Sequence, residues 1–209
     1  MAAFKTHLAG GVIVGGCSAV IGLTTFHLSY IQAISVFIMG TVGGLLPDID
    51  SDTGKPLALI FGTVSVLLPV LLLHKLPTGK QLSPEFLVSY FVISYVVINY
   101  FICGIIKTMT AHRGILHSLP FAVLMGQVGY LLFRSSGENI ATLIGISVFA
   151  GSLTHLLLDE LHSLSLKYYI IPVVKSSFGT ALKVKTNNFF ATGALYLLVI
   201  VAGFKILEG

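Results

Sequence analysis

Charged residues are scarce in this chain. Asp, Glu, Lys and Arg make up only 10% of its 209 residues, and tryptophan is absent. Soluble domains average about 25% charged residues, so this composition excludes an ordinary soluble domain. With 55% hydrophobic residues and a mean hydropathy of +0.96, the chain is typical of a membrane protein. We expect a single membrane-embedded domain over residues 1–209.

Cysteine is also rare. Cys17 and Cys103 each lie within an apolar run, which excludes a disulfide framework and a cysteine-based zinc site. The first residues lack the charged segment and cleavage site of a signal peptide, so we expect the first apolar run to remain as a helix. The net charge of +4 does not indicate nucleic-acid binding, because the basic residues lie mostly in loops, where they set membrane orientation.

Apolar runs of near-membrane length dominate the chain. A spanning helix needs roughly 17–25 predominantly apolar residues. We predict an all-α protein, a polytopic transmembrane helical bundle of about seven spans, of which the fifth is short. The predicted spans are residues 8–26, 28–46, 57–73, 86–106, 119–133, 140–158 and 189–207.

The polar motifs all fall on one predicted side of the membrane. Alternating spans place the N-terminus and the loops after the second, fourth and sixth spans together. By the positive-inside rule this side is cytoplasmic, in the cell inner membrane. Its basic residues are Lys5, Lys55, Lys107, Arg113, Lys167, Lys175, Lys183 and Lys185, against Lys75, Lys80, Arg134 and Lys205 on the other side.

The spacing of His155 and Asp159 would allow both side chains to bind the same metal ion. Residues four apart lie on the same face of a helix, so this pair can hold one metal ion. A simple hydrogen-bonded His–Asp pair is the alternative. Ionisable groups within membrane helices are costly and mark functional sites by default. Glu160 and His162 are candidates for supporting contacts to the ligands.

A second motif covers residues 112–118. His112 and His117 are five apart, a poor spacing on one helix, but Gly114 predicts a turn that aims both rings at one centre. Pro120 indicates that a helix starts here, and Ser118 is interpreted as its cap rather than a nucleophile. Arg113 is a candidate to bind a phosphate. Alternatively, its charge only helps to set the orientation of the protein in the membrane.

Carboxylates cluster after the second span. Asp48, Asp50 and Asp52 repel one another unless a cation bridges them, although a solvated acidic loop is the alternative. Asp50 is interpreted as a ligand or a general base, and Asp52 as a spectator. His7 gains interest only because it lies on the same side as the other motifs.

The combined residue set predicts a metal site. Mixed imidazole and carboxylate ligation favours zinc, with one or two ions, and leaves manganese and iron as alternatives. The predicted ligands are His7, Asp48, Asp50, His112, His117, His155 and Asp159.

These motifs resemble those of the YdjM-like family of membrane-bound metal-dependent hydrolases, also described as LexA-binding and inner membrane-associated. The resemblance rests on His7, on PDID at 47–50, on HRGILHS at 112–118 and on GSLTHLLLD at 151–159. It implies a helical inner-membrane protein with a metal-dependent hydrolase site. A more distant similarity to zinc-dependent phospholipase C implies phosphoester chemistry on lipids.

The leading hypothesis is a membrane hydrolase that uses metal-activated water at the cytoplasmic face. Its substrate would be a phosphoester of a lipid or other amphiphile, with Asp50 and Arg113 as catalytic residues. One alternative is a regulatory or interaction protein with a structural metal site. A metal-ion transporter is less favoured, because the motifs cluster on one side and the third to fifth spans lack midplane ligands.

Overall fold

The computed structural model describes residues 4–50, 55–73, 76, 83–104, 115–167, 171–174, 183–185 and 189–208. Helices dominate this part of the chain, which confirms the all-α prediction. The long helices are α1 (Phe4–Thr24), α2 (Tyr30–Gly43), α3 (Lys55–Leu73), α4 (Pro84–Val96), α5 (Leu119–Phe133), α6 (Glu138–Ser163) and α7 (Phe189–Leu207). Short 3-10 helices cover Leu46–Asp50 and Arg134–Ser136, and a π-helical segment, Val97–Ile102, continues α4.

Four described helical segments are long and apolar enough to cross a membrane: Phe4–Thr24, Pro84–Ile102, Glu138–His162 and Phe189–Leu207. About 61% of the apolar window in the third segment is buried within the protein, against 28% or less in the others. Apolar side chains on the other three are widely exposed, as expected for surfaces that face lipid.

The chain divides into two compact units. Unit 1 comprises Met1–Asp48 and Gly114–Gly209, and unit 2 comprises Ile49–Arg113. Within unit 2, the hydroxyl of Tyr90 on α4 donates a hydrogen bond to the carbonyl oxygen of Pro69 on α3. A single domain over residues 1–209 stays a prediction.

Helix α6 is the centre of unit 1, where it contacts α1, α2 and α5. Glycines allow this close approach. A Cβ on Gly15 would meet the carbonyl oxygen of Phe37 on α2, and one on Gly151 would meet the carbonyl oxygen of Gly40. A Cβ on Gly40 would likewise meet Cα of Gly15, whereas Gly16 faces open space.

Serine caps fix where two helices begin. The Ser29 side chain accepts a hydrogen bond from the backbone of Gln32, which bonds back to form a capping box. The Ser118 hydroxyl accepts from the backbone N–H of Phe121, and Pro120 occupies the first turn of α5. The interpretation of Ser118 as a cap is therefore confirmed.

Helix α6 extends further than predicted. It was expected to end near Leu158 but continues to Ser163. Strands β1 (Leu164–Lys167) and β2 (Ile171–Val174) then pair antiparallel. This hairpin was not predicted from the sequence. The alternation of apolar and polar residues in Leu164–Lys167 is a strand signal that was missed in a segment interpreted as a loop.

Candidate metal centre

His155 occupies the C-terminal half of α6 and is 1% exposed. Its Nδ1 lies 2.8 Å from the carbonyl oxygen of Gly44, just after α2. Because a carbonyl oxygen only accepts, Nδ1 carries the hydrogen and the neutral ring keeps its lone pair on Nε2. Within the described residues, that Nε2 has no hydrogen-bond partner. A backbone carbonyl that orients a histidine in this way is common behind metal ligands.

Asp159 lies one helical turn after His155, as the spacing predicted. Its Oδ2 is 3.8 Å from Nε2 of His155 and 3.7 Å from Nε2 of His117. Its Oδ1 is 3.3 Å from Nε2 of His7. The carboxylate is buried, so all three imidazoles surround one acidic group in a place that excludes water.

His7 lies in the first turns of α1 and is 1% exposed. Its ring stacks on that of His155, with centroids 3.6 Å apart. Neither ring nitrogen of His7 has a hydrogen-bond partner among the described residues. An imidazole buried without hydrogen bonds carries a desolvation penalty, which a bound cation would remove.

His117 immediately precedes the Ser118 cap, and its ring meets that of His155 edge to face at 5.4 Å. The start of α5 is therefore what brings this side chain to the end of α6. Its Nε2 is 3.7 Å from Oδ1 of Asp48.

Asp48 lies in the 3-10 helix that follows α2, with its backbone N–H bonded to the carbonyl oxygen of Leu45. Its Oδ1 is 3.5 Å from Nε2 of His155. Burial raises the pKa of Asp48, but the polar contact with the His117 side chain and the electrostatic effect of the three nearby imidazoles lower it more. The net pKa is below its usual value, which keeps the group anionic at neutral pH.

These five residues fit a divalent cation. Their donors form two overlapping groups, one of His7, Asp48 and His155, and one of His117, His155 and Asp159. Within each group the ligand atoms lie within 4.8 Å of one another. Three imidazoles and two carboxylates, mostly buried, match the donor chemistry of zinc and related metals.

The remaining predicted residues divide into two sets. His112, Arg113 and Asp52 lie outside the described residues, as does the side chain of Asp50, so their roles stay predictions. His162 is exposed and its Nδ1 is 2.9 Å from the carbonyl oxygen of Leu158 on its own helix. Both cysteines are free thiols, in agreement with the sequence analysis.

Two contacts at the site were not predicted from the sequence. The first is the contact between the Gly44 carbonyl oxygen and His155. Every residue has a backbone carbonyl, so the sequence does not indicate which one accepts this hydrogen bond. The second is a short parallel bridge between Ser118 and Lys183, in which the Leu119 N–H donates to the Lys183 carbonyl oxygen. This bridge brings the segment Lys183–Lys185 beside the start of α5.

The model of the YdjM inner membrane protein family matches residues 1–207. The chain belongs to the YdjM inner membrane protein family. All five clustered residues lie within the matched range, and the family description identifies this YdjM chain as an inner membrane protein. No curated protein and no solved structure matches the chain.

Proposed function

We propose that this YdjM-family chain is a multi-pass inner-membrane, metal-dependent hydrolase that cleaves a phosphoester of a lipid or similar amphiphile. The observation that carries the proposal is the convergence of three imidazoles and two carboxylates at one end of unit 1. His7, Asp48, His117, His155 and Asp159 would hold the metal. A bound divalent cation would supply Lewis acidity and lower the pKa of water for hydrolysis.

The donor set favours catalysis over a purely structural metal site. Structural zinc sites are closed by four protein ligands, commonly with cysteines, whereas catalytic sites combine histidines and carboxylates and leave a position open. The histidines and aspartates of this site are ligands of the catalytic type. A lipid substrate is supported by the apolar exposed faces of the helices that carry the ligands, since these would give an amphiphile access from the bilayer.

Arg113 and Asp50 complete the proposal from the sequence. Arg113, next to the ligand His112 and close in sequence to His117, would bind the phosphate through its guanidinium. Asp50, two residues after Asp48, would act as a ligand or as the base that removes a proton from water. A cytoplasmic location for this end of the protein is supported by the excess of basic residues on its predicted side of the membrane.

A lipid-cleavage assay, with mass spectrometry of the lipid products and of the water-soluble phosphorylated products, tests the proposal. Purified protein, loaded with zinc or manganese, would be incubated with phospholipids, diacylglycerol phosphates and isoprenoid phosphates in mixed micelles. We expect metal-dependent cleavage of at least one class, which His155→Ala abolishes and His162→Ala retains. Stoichiometric metal without cleavage of any class by any loaded form would favour a structural or regulatory metal site instead.

A further inference from the structure

Two stacked histidines present the same edge to one carboxylate. The rings of His7 and His155 have centroids 3.6 Å apart, and their planes are inclined by only 14°. Nε2 of His7 is 3.3 Å from Oδ1 of Asp159, and Nε2 of His155 is 3.8 Å from Oδ2 of the same residue. Each ring is therefore paired with a different oxygen of Asp159.

One metal ion does not fit both rings. The lone pair of an imidazole nitrogen lies in the ring plane, and a zinc ion binds about 2.0–2.1 Å along it. An ion shared by His7 and His155 would lie between the planes, out of each by about half of the 3.6 Å separation. His155 cannot bind a second ion through Nδ1, because that nitrogen donates to Gly44. As metal ligands, the two rings would therefore bind separate ions.

Building on the proposed metal-dependent function, we infer that the site binds two metal ions bridged by Asp159. The first ion would take Nε2 of His155, Nε2 of His117 and Oδ2 of Asp159, where the nitrogen–oxygen separations are 3.7–3.8 Å and a fourth position stays open. The second ion would take His7 and Oδ1 of Asp159. Asp48 shares a group with His7, so its carboxylate would add a ligand to the second ion.

The spacing of the rings supports a two-ion centre. Paired ions in hydrolytic centres lie about 3.5–4 Å apart, close to the 3.6 Å between the ring centroids of His7 and His155. Two such ions would stabilise both the attacking and the leaving oxygen in a displacement at phosphorus, in agreement with the proposed phosphoester substrate.

Manganese loading tests the inference without an activity assay. The full-length protein in detergent would be saturated with Mn²⁺ and freed of excess ion by gel filtration. Elemental mass spectrometry gives the ions per chain, and electron paramagnetic resonance detects magnetic coupling between them. We expect two coupled ions in the wild type, one isolated ion in His7→Ala, and two coupled ions in His162→Ala, an exposed histidine of α6 that serves as control.

Each failure has a distinct meaning. One isolated ion in the wild type would overturn the two-ion inference and leave the proposed metal site standing, whereas no bound ion would remove the proposed function. Two coupled ions in His7→Ala would overturn the role of His7. If circular dichroism shows that His7→Ala does not fold, His7→Phe, which keeps a ring but has no ligand atom, replaces it, and retention of coupling in that variant would equally contradict the inference.

Discussion

The carbonyl oxygen of Gly44 accepts a hydrogen bond from Nδ1 of His155 across 2.8 Å. This contact joins the end of α2 to the middle of the candidate metal centre and fixes which nitrogen of His155 faces the other donors. It depends on close packing, because Gly44 itself lies against Gly11 of α1 and beside the His7 carbonyl. The glycines that bring the helices together therefore also position the ligands.

The first prediction concerns Gly44. A Cβ there would lie 2.7 Å from Cα of Gly11, a backbone atom that cannot move aside. We expect Gly44→Ala to destabilise the protein by about 1–3 kcal/mol, as overpacking does, and to weaken metal binding by displacing the carbonyl behind His155. Thermal unfolding in detergent and metal titration measure the two effects.

Gly16→Ala is the matched control for Gly44→Ala. Gly16 lies on α1, the helix against which Gly44 packs, but a Cβ there would have no neighbour within 4 Å. Alanine favours a helix over glycine by roughly 0.5–1 kcal/mol, so we expect unchanged or slightly raised stability and unchanged metal affinity. Equal losses in both variants would contradict the packing argument.

The second prediction separates the two roles considered for Ser118. Its hydroxyl caps α5 and donates to the Ile115 carbonyl oxygen at 2.6 Å. Loss of a serine cap costs about 1 kcal/mol, so Ser118→Ala should lower the unfolding temperature modestly and keep the bound metal. In the lipid-cleavage assay the turnover number per folded protein should also persist. Its complete loss would show that the hydroxyl takes part in the chemistry.

The third prediction concerns Asp159. Asp159→Asn keeps the size of the side chain but removes the charge that three histidines surround. We expect metal affinity to fall by at least the roughly 10–100-fold seen for altered supporting contacts, because this residue is a proposed ligand. Isothermal titration with Zn²⁺ measures the change, and Glu138→Gln, an exposed carboxylate at the opposite end of α6, is the control. Wild-type affinity in Asp159→Asn would exclude Asp159 as a ligand.

Much of this site could be predicted because helix periodicity links sequence to space. The four-residue spacing of His155 and Asp159 placed them on one face, and alternation of the spans put His7 and Asp48 at the same end. The stacking of His7 on His155 could not be predicted in this way, because it depends on how closely α1 approaches α6. Likewise, the hairpin after α6 was missed because each strand has only four residues, the shortest length at which alternation indicates a strand.

Metal content tests the central claim most directly. Detergent-purified protein would be compared with an Asp48→Ala/His155→Ala double variant by elemental mass spectrometry, after both are shown to be folded by circular dichroism. We expect at least one equivalent of zinc or another transition metal per wild-type chain and none in the variant. A folded wild-type protein that holds no metal, even after reloading, would contradict the account.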